Sequence, residues 1–145
     1  MAKGYPDYFG QSVWPKHGSM RTDDELVGVI AGLDTETILL ATGLGVLHGA
    51  TIFINSTVLP AGIEFILTVD GIIVYQNFLL RIFQYFRDTP ADIIISCTEY
   101  DIENGSYSVV INGGISFISS FRVQIHNWGG ANINDTAEIY YYHVT

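Results

Sequence analysis

The chain has 145 residues, 48% of them hydrophobic and only 14% charged, against a usual charged share of about 25%. That length makes one domain with its own core and is too short for two, while the apolar content exceeds what a single small domain hides and points to contacts between subunits. A formal charge of -9, from 15 acidic against 6 basic residues, repels phosphate backbones and anionic headgroups, so neither nucleic acid nor a membrane is an expected partner.

Residues 1–24 set Gly4, Pro6, Gly10, Pro15 and Gly18 among Tyr5, Tyr8, Phe9 and Trp14. No period is sustained there, so the segment reads as an N-terminal arm too aromatic to be a free linker. The four rings are candidate anchors, either on the chain's own domain or on a neighbouring subunit. The opening MAKGYPDYFG lacks the apolar run of a secretory signal, which predicts a protein that is not exported.

A β-domain is expected from Glu25 to Thr145. Glu25–Ala31, Thr37–Thr42 and Val46–Asn55 are rich in Val, Ile, Leu and Thr and are separated by glycine-bearing breaks. The uncharged stretch from Thr37 to Ile63 carries Gly43, Gly45, Gly49, Asn55 and Pro60, which would break or burden a helix in lipid, so it reads as strands. Ile63, Phe65, Leu67 and Val69 alternate with Glu64, Ile66 and Thr68, and Asp70-Gly71 supplies a type I′ turn into Ile72–Tyr75. From Phe78 to Arg87 the polar residues Arg81, Gln84 and Arg87 recur every three positions, which predicts a short helix closed by Pro90.

Asp92–Glu103, Ser106–Ile111 and Ile115–Trp128 read as a three-stranded meander. Asn104-Gly105 and Asn112-Gly113-Gly114 form its turns, and Tyr100 is placed opposite Val109. In the last of these strands Phe117, Phe121, Val123 and Ile125 share one face, and Ser116, Ser120, Arg122, Gln124 and His126 the other. Its length predicts a bend or bulge near Ser119-Ser120, with one strand serving two sheets. A loop over Gly129–Thr136 and a final strand over Ala137–Val144 complete an all-β sandwich, jelly-roll-like, with one short helix and an extended arm.

Chemistry-bearing residues are sparse. Cys97 is the single cysteine, which excludes an internal disulfide and a cysteine metal cage and suits a small buried filler. The histidines, His17, His48, His126 and His143, show no metal-ligand spacing, and Gly43–Gly49 lacks the Lys-Ser/Thr of a phosphate loop. Glu99, Asp101 and Glu103 share a strand face that could serve acid–base chemistry or, with Asn104, calcium, but reads first as a solvated surface. No enzyme activity, metal or cofactor is expected.

The aromatic arm MAKGYPDYFGQSVWPKHG, the TVDGIIVYQ hairpin leading into NFLLRIFQYFRD, and the amphipathic SFISSFRVQIHN together resemble small β-sandwich virion structural proteins of bacteriophages and related viruses. The resemblance is one of layout. It implies a capsid component or a capsid-decorating or spike protein, made in the host cytoplasm and built into the virion. Its partners would be further copies of itself and other virion proteins. An alternative from another class is a carbohydrate- or receptor-binding module of a viral appendage, with Trp128, Asn132, Asn134 and Asp135 as the ligand loop.

Overall fold

The structure is a computed structural model that describes residues 18–88 and 94–144. Among the described residues nine strands follow in chain order: β1 Gly18–Ile30, β2 Thr35–Thr42, β3 Gly45–Ser56, β4 Ile63–Val69, β5 Ile72–Phe78, β6 Ile95–Asp101, β7 Ser106–Phe117, β8 Ser120–Asn127 and β9 Ile133–Val144. A 3₁₀ turn at Pro60–Gly62 precedes β4, and helix α1, Leu79–Asp88, follows β5.

One sheet has the order β1-β9-β3-β7-β6 and the other β2-β8-β4-β5, and every pairing is antiparallel. Four strands of the first sheet, β1-β9-β3-β7, and the four of the second interleave along the chain, with only β4 and β5 consecutive in one sheet, as in a jelly roll. β6 is an added edge strand beside β7. The chain is therefore an all-β sandwich, as its alternating hydrophobic pattern requires.

The core lies between the sheets. Phe121, Val123 and Ile125 of β8 are completely buried, with Phe65 and Leu67 of β4 beside them and Ile52, Val109 and Ile111 in the facing sheet. Each such side chain contributes about 1.5–3 kcal/mol relative to an exposed one. The β4–β5 hairpin forms as expected. Val69 pairs with Ile72, and Asp70 and Gly71 take φ of 52° and 82°, the left-handed pair of a type I′ turn.

Helix α1 follows from the three-residue recurrence of its polar positions. Leu79 and Ile82, one turn apart, are buried, while Arg81 is exposed. Phe83 stacks on Tyr100 of β6 with centroids 3.9 Å apart, and Tyr100 meets Tyr107 edge-on at 5.4 Å. Pro90 lies outside the described residues.

Several expectations are corrected. β1 begins at Gly18, so residues 18–24, read as arm, belong to a sheet. β7 runs unbroken through Asn112-Gly113-Gly114. Leu47 pairs with Ile115 but Gly49 with Asn112, so the glycines absorb one extra residue in a bulge rather than reversing the chain. Glycine is required there, because a Cβ on Gly113 would lie 2.1 Å from the His48 carbonyl oxygen.

The Ile115–Trp128 stretch passes between two sheets through a bend at Ile118-Ser119, as its length predicts. β7 and β8 are therefore not neighbours, and the three-stranded meander does not form. On the β6–β7 hairpin Tyr100 faces Tyr107, not Val109. The reason is local. The Asp101 carboxylate accepts hydrogen bonds from the Asn104 N–H (3.1 Å) and side-chain amide (2.8 Å), closing a turn over residues 102–105. β9 begins at Ile133, inside the segment read as a loop.

Candidate functional site

The sandwich has two distinct ends. At one end the loops 31–34, 57–62, 102–105 and 128–132 gather; at the other, the turns 43–44, 70–71 and 118–119. Gly18 pairs with Val144, His143 with Gly45, and Gly45 with Phe117, so the strand ends leading to residues 1–17 and to residue 145 lie beside those three turns.

At the first end, β8 terminates in Asn127 and Trp128. Asn127 is completely buried. Its side-chain amide donates to the carbonyls of Ile30 (3.0 Å) and Ala131 (2.7 Å), and its oxygen accepts from the Gly129 N–H (2.9 Å). The loop 128–131 is thereby pinned to the end of β1. Trp128 is held on the rim with 55% of its surface exposed. Its indole N–H donates to Glu64 Oε1 at 3.0 Å, and the other Glu64 oxygen accepts from Gln76 at 3.0 Å.

Register explains why these side chains meet. Glu64 pairs with His126, and Ile66 pairs with both Gln124 and Gln76, so Glu64, His126, Gln124 and Gln76 share the outward face of the second sheet. His126 hydrogen-bonds Thr35 through Nδ1, and its ring sits edge-on to Trp128 with centroids 4.3 Å apart. Trp128 also borders an open groove of about 480 Å³ walled by Val58, Leu59 and Ala61 and by Gly129 and Gly130.

The ligand loop read from sequence is divided. Asn132 is exposed and uses its carbonyl to accept from the Ser56 hydroxyl at 2.9 Å. Asn134 and Asp135 line a separate recess of about 160 Å³ with Phe53, Asn55 and Glu99. Asp135 is only 2% exposed. It lies opposite Gly28, where a Cβ would come within 2.8 Å of its carboxylate, so it faces the interior rather than a ligand in solution. The arm residues Tyr5, Tyr8, Phe9 and Trp14 lie outside the described residues.

The acidic row is also used internally. Glu99 accepts from the Ser108 hydroxyl at 3.2 Å, and the Asn104 side chain and N–H hold the Asp101 carboxyl below its usual range. Among the described residues, no three His, Cys, Asp or Glu side chains gather as a metal site. Cys97 is buried and donates its thiol hydrogen to the Glu99 carbonyl; burial pushes that thiol up to about 11, so it stays protonated near neutrality. No described helix is long and apolar enough to cross a membrane.

At the opposite end Asp70 joins the turns. Its carboxylate accepts from the N–H groups of Ile118 (2.9 Å), Ser119 (2.7 Å) and Ser120 (3.1 Å) and from the Ser119 hydroxyl (3.0 Å). The Gly43 N–H in turn reaches the Ser119 carbonyl at 2.8 Å. Leu44, Ile72 and Ile118, carried on or beside these turns, are 46%, 68% and 75% exposed.

No family model matches the chain. No curated protein matches it. Among solved structures it is similar to dimeric latent PorU from Porphyromonas gingivalis, with 11% identity, a TM-score of 0.48 and coverage of 91% of this chain. The chain spans 13% of the length of that structure, and the likeness carries no functional argument.

Proposed function

We propose that the chain is a structural protein of a phage or related virion, a capsid component or a capsid-decorating or spike protein, that assembles as a symmetric oligomer. Residues 1–17 reach a neighbouring copy, and other virion proteins complete the particle. The observation that carries this reading is the crowding, at the end where residue 18 enters the sheet, of three turns with exposed Leu44, Ile72 and Ile118. Exposed aliphatic side chains on turns cross-linked by Asp70 and by the Gly43–Ser119 hydrogen bond form a preorganised contact surface, which loses little entropy when covered.

The assignment to this end is tested by Ile118→Asp combined with Leu44→Asp. Both side chains are solvent-exposed, so folding stability stays within about 0.5 kcal/mol of the parent. Sedimentation velocity is expected to show the oligomer replaced by monomer. An unchanged sedimentation coefficient rejects this end as the contact surface.

A further inference from the structure

From the residues around Trp128 we infer a binding site for a neutral oligosaccharide, running from the Trp128 ring along the outward face of β8 past His126 to Gln124. The site was not legible as the 128–135 loop, because its polar members come from other strands. Three features point to sugar. First, Trp128 offers a large aromatic surface that is 55% exposed, yet its orientation is fixed by the indole N–H bond to Glu64 and by the edge of His126. A fixed ring at the rim is the platform on which the C–H face of a pyranose stacks, and no rotamer freedom is lost on binding.

Second, the groups beside the ring are planar donors and acceptors set on strands. Glu64 is 9% exposed and each of its oxygens already takes one donor, from Trp128 and from Gln76, which keeps the Gln76 amide in place. Gln124 and His126 follow on the same face of β8. Alternate residues of a strand stand about 6.6 Å apart, so Gln124, His126 and Trp128 cover about 13 Å, the reach of a short oligosaccharide. Amides and imidazole at that spacing suit vicinal hydroxyls, which donate and accept from one ring edge.

Third, the ligand should carry no negative charge. The chain has a formal charge of -9, and the Glu64 carboxylate is hydrogen-bonded to the ring's indole N–H, so an anionic sugar meets repulsion from the chain as a whole and from the carboxylate beside the ring. The Trp128 groove is open and shallow against the loops at the end opposite to the turns proposed for assembly. Sugar binding and assembly therefore use separate surfaces, and either one stands if the other fails.

The test uses the full chain labelled with 5-fluorotryptophan, in which Trp128→Phe identifies the Trp128 fluorine resonance by its loss. Cellohexaose, maltohexaose, xylohexaose and mannohexaose are titrated, with sialyllactose as the anionic comparison. At least one neutral oligosaccharide is expected to shift the Trp128 resonance, with half-saturation near or below about 1 mM. His126→Ala is expected to weaken that binding at least tenfold, and Trp128→Ala, followed by isothermal titration calorimetry because it lacks the reporting fluorine, to abolish it. A Trp128 resonance that moves with none of the neutral oligosaccharides, or only with sialyllactose, overturns the proposal. So does binding that is unchanged in Trp128→Ala. The wild-type titration decides the matter even where a variant fails to fold.

Discussion

Asp70 sits at a φ of 52° and accepts hydrogen bonds from three consecutive backbone N–H groups, Ile118, Ser119 and Ser120. The Ser119 N–H, then those of Ile118 and Ser120, stabilise the ionised carboxylate and lower its pKa from 3.8 to about 2. A carboxyl lowered on folding stabilises the native state fully above its unfolded value. That contribution disappears as pH falls toward the folded value, here between 3.8 and about 2. Asp70→Ala is expected to have a lower melting temperature at pH 7 and a shallower loss of stability across that window than the parent. Parallel pH-dependent melting curves for the two proteins would count against the role.

Asn127 belongs to the same scale and has a larger energetic consequence, because it is completely buried. Replacing it by Ala leaves the carbonyls of Ile30 and Ala131 and the Gly129 N–H without their partner. The expected cost is about 2–4 kcal/mol, read as a lower midpoint in urea with an unchanged slope. In the sequence Asn127 was one polar residue at the end of an alternating run, and nothing in the run told a buried clamp from a loop residue. His126 and Glu64 were legible as outward-facing residues of their strands. That they adjoin each other and Trp128 was not, since strand alternation gives a face but not a neighbour.

Among the elements, the turns divide according to how their residues choose conformation. Asp70-Gly71 was readable because a two-residue hairpin demands two left-handed residues. Asn104-Gly105 carries the same signal, but Asp101 captures Asn104 and moves the reversal, shifting the β6–β7 register. Gly105 and Gly71 make a controlled comparison, with φ of 62° and 82°. A Cβ at Gly71 meets nothing within 4 Å, whereas one at Gly105 would lie 2.1 Å from the Ser56 carbonyl oxygen. Gly71→Ala is expected to cost only the left-handed penalty, about 1–2 kcal/mol. Gly105→Ala should cost clearly more, since β3 must move away, and equal denaturation midpoints for the two would contradict the close approach. Asn112-Gly113-Gly114 misled for a related reason: glycines serve a bulge as readily as a turn, and only the pairing of Leu47 and Gly49 with β7 and β9 distinguishes them.

At the scale of the whole molecule, the sandwich class was written in the alternation of Phe121, Val123 and Ile125 and its counterparts in other strands. The strand order was not, because the chain alternates between sheets and pairs β1 with β9 and β2 with β8 across most of its length. That order places the strand ends next to residues 1–17 and 145 at one end and the Trp128 rim at the other. A molecule built in this way can be anchored at one end and present a ligand surface at the other. The exposed Leu44, Ile72 and Ile118 have no cover among the described residues, and the proposed assembly would place them against other copies of the protein. The most direct measurement is the mass of the full chain in solution by sedimentation equilibrium, across about 1–100 μM, the range in which a specific interface of ordinary size is populated. A single closed oligomer, with a mass that is a whole multiple of one chain throughout, is the expected result, and a monomer over the entire range would contradict assembly.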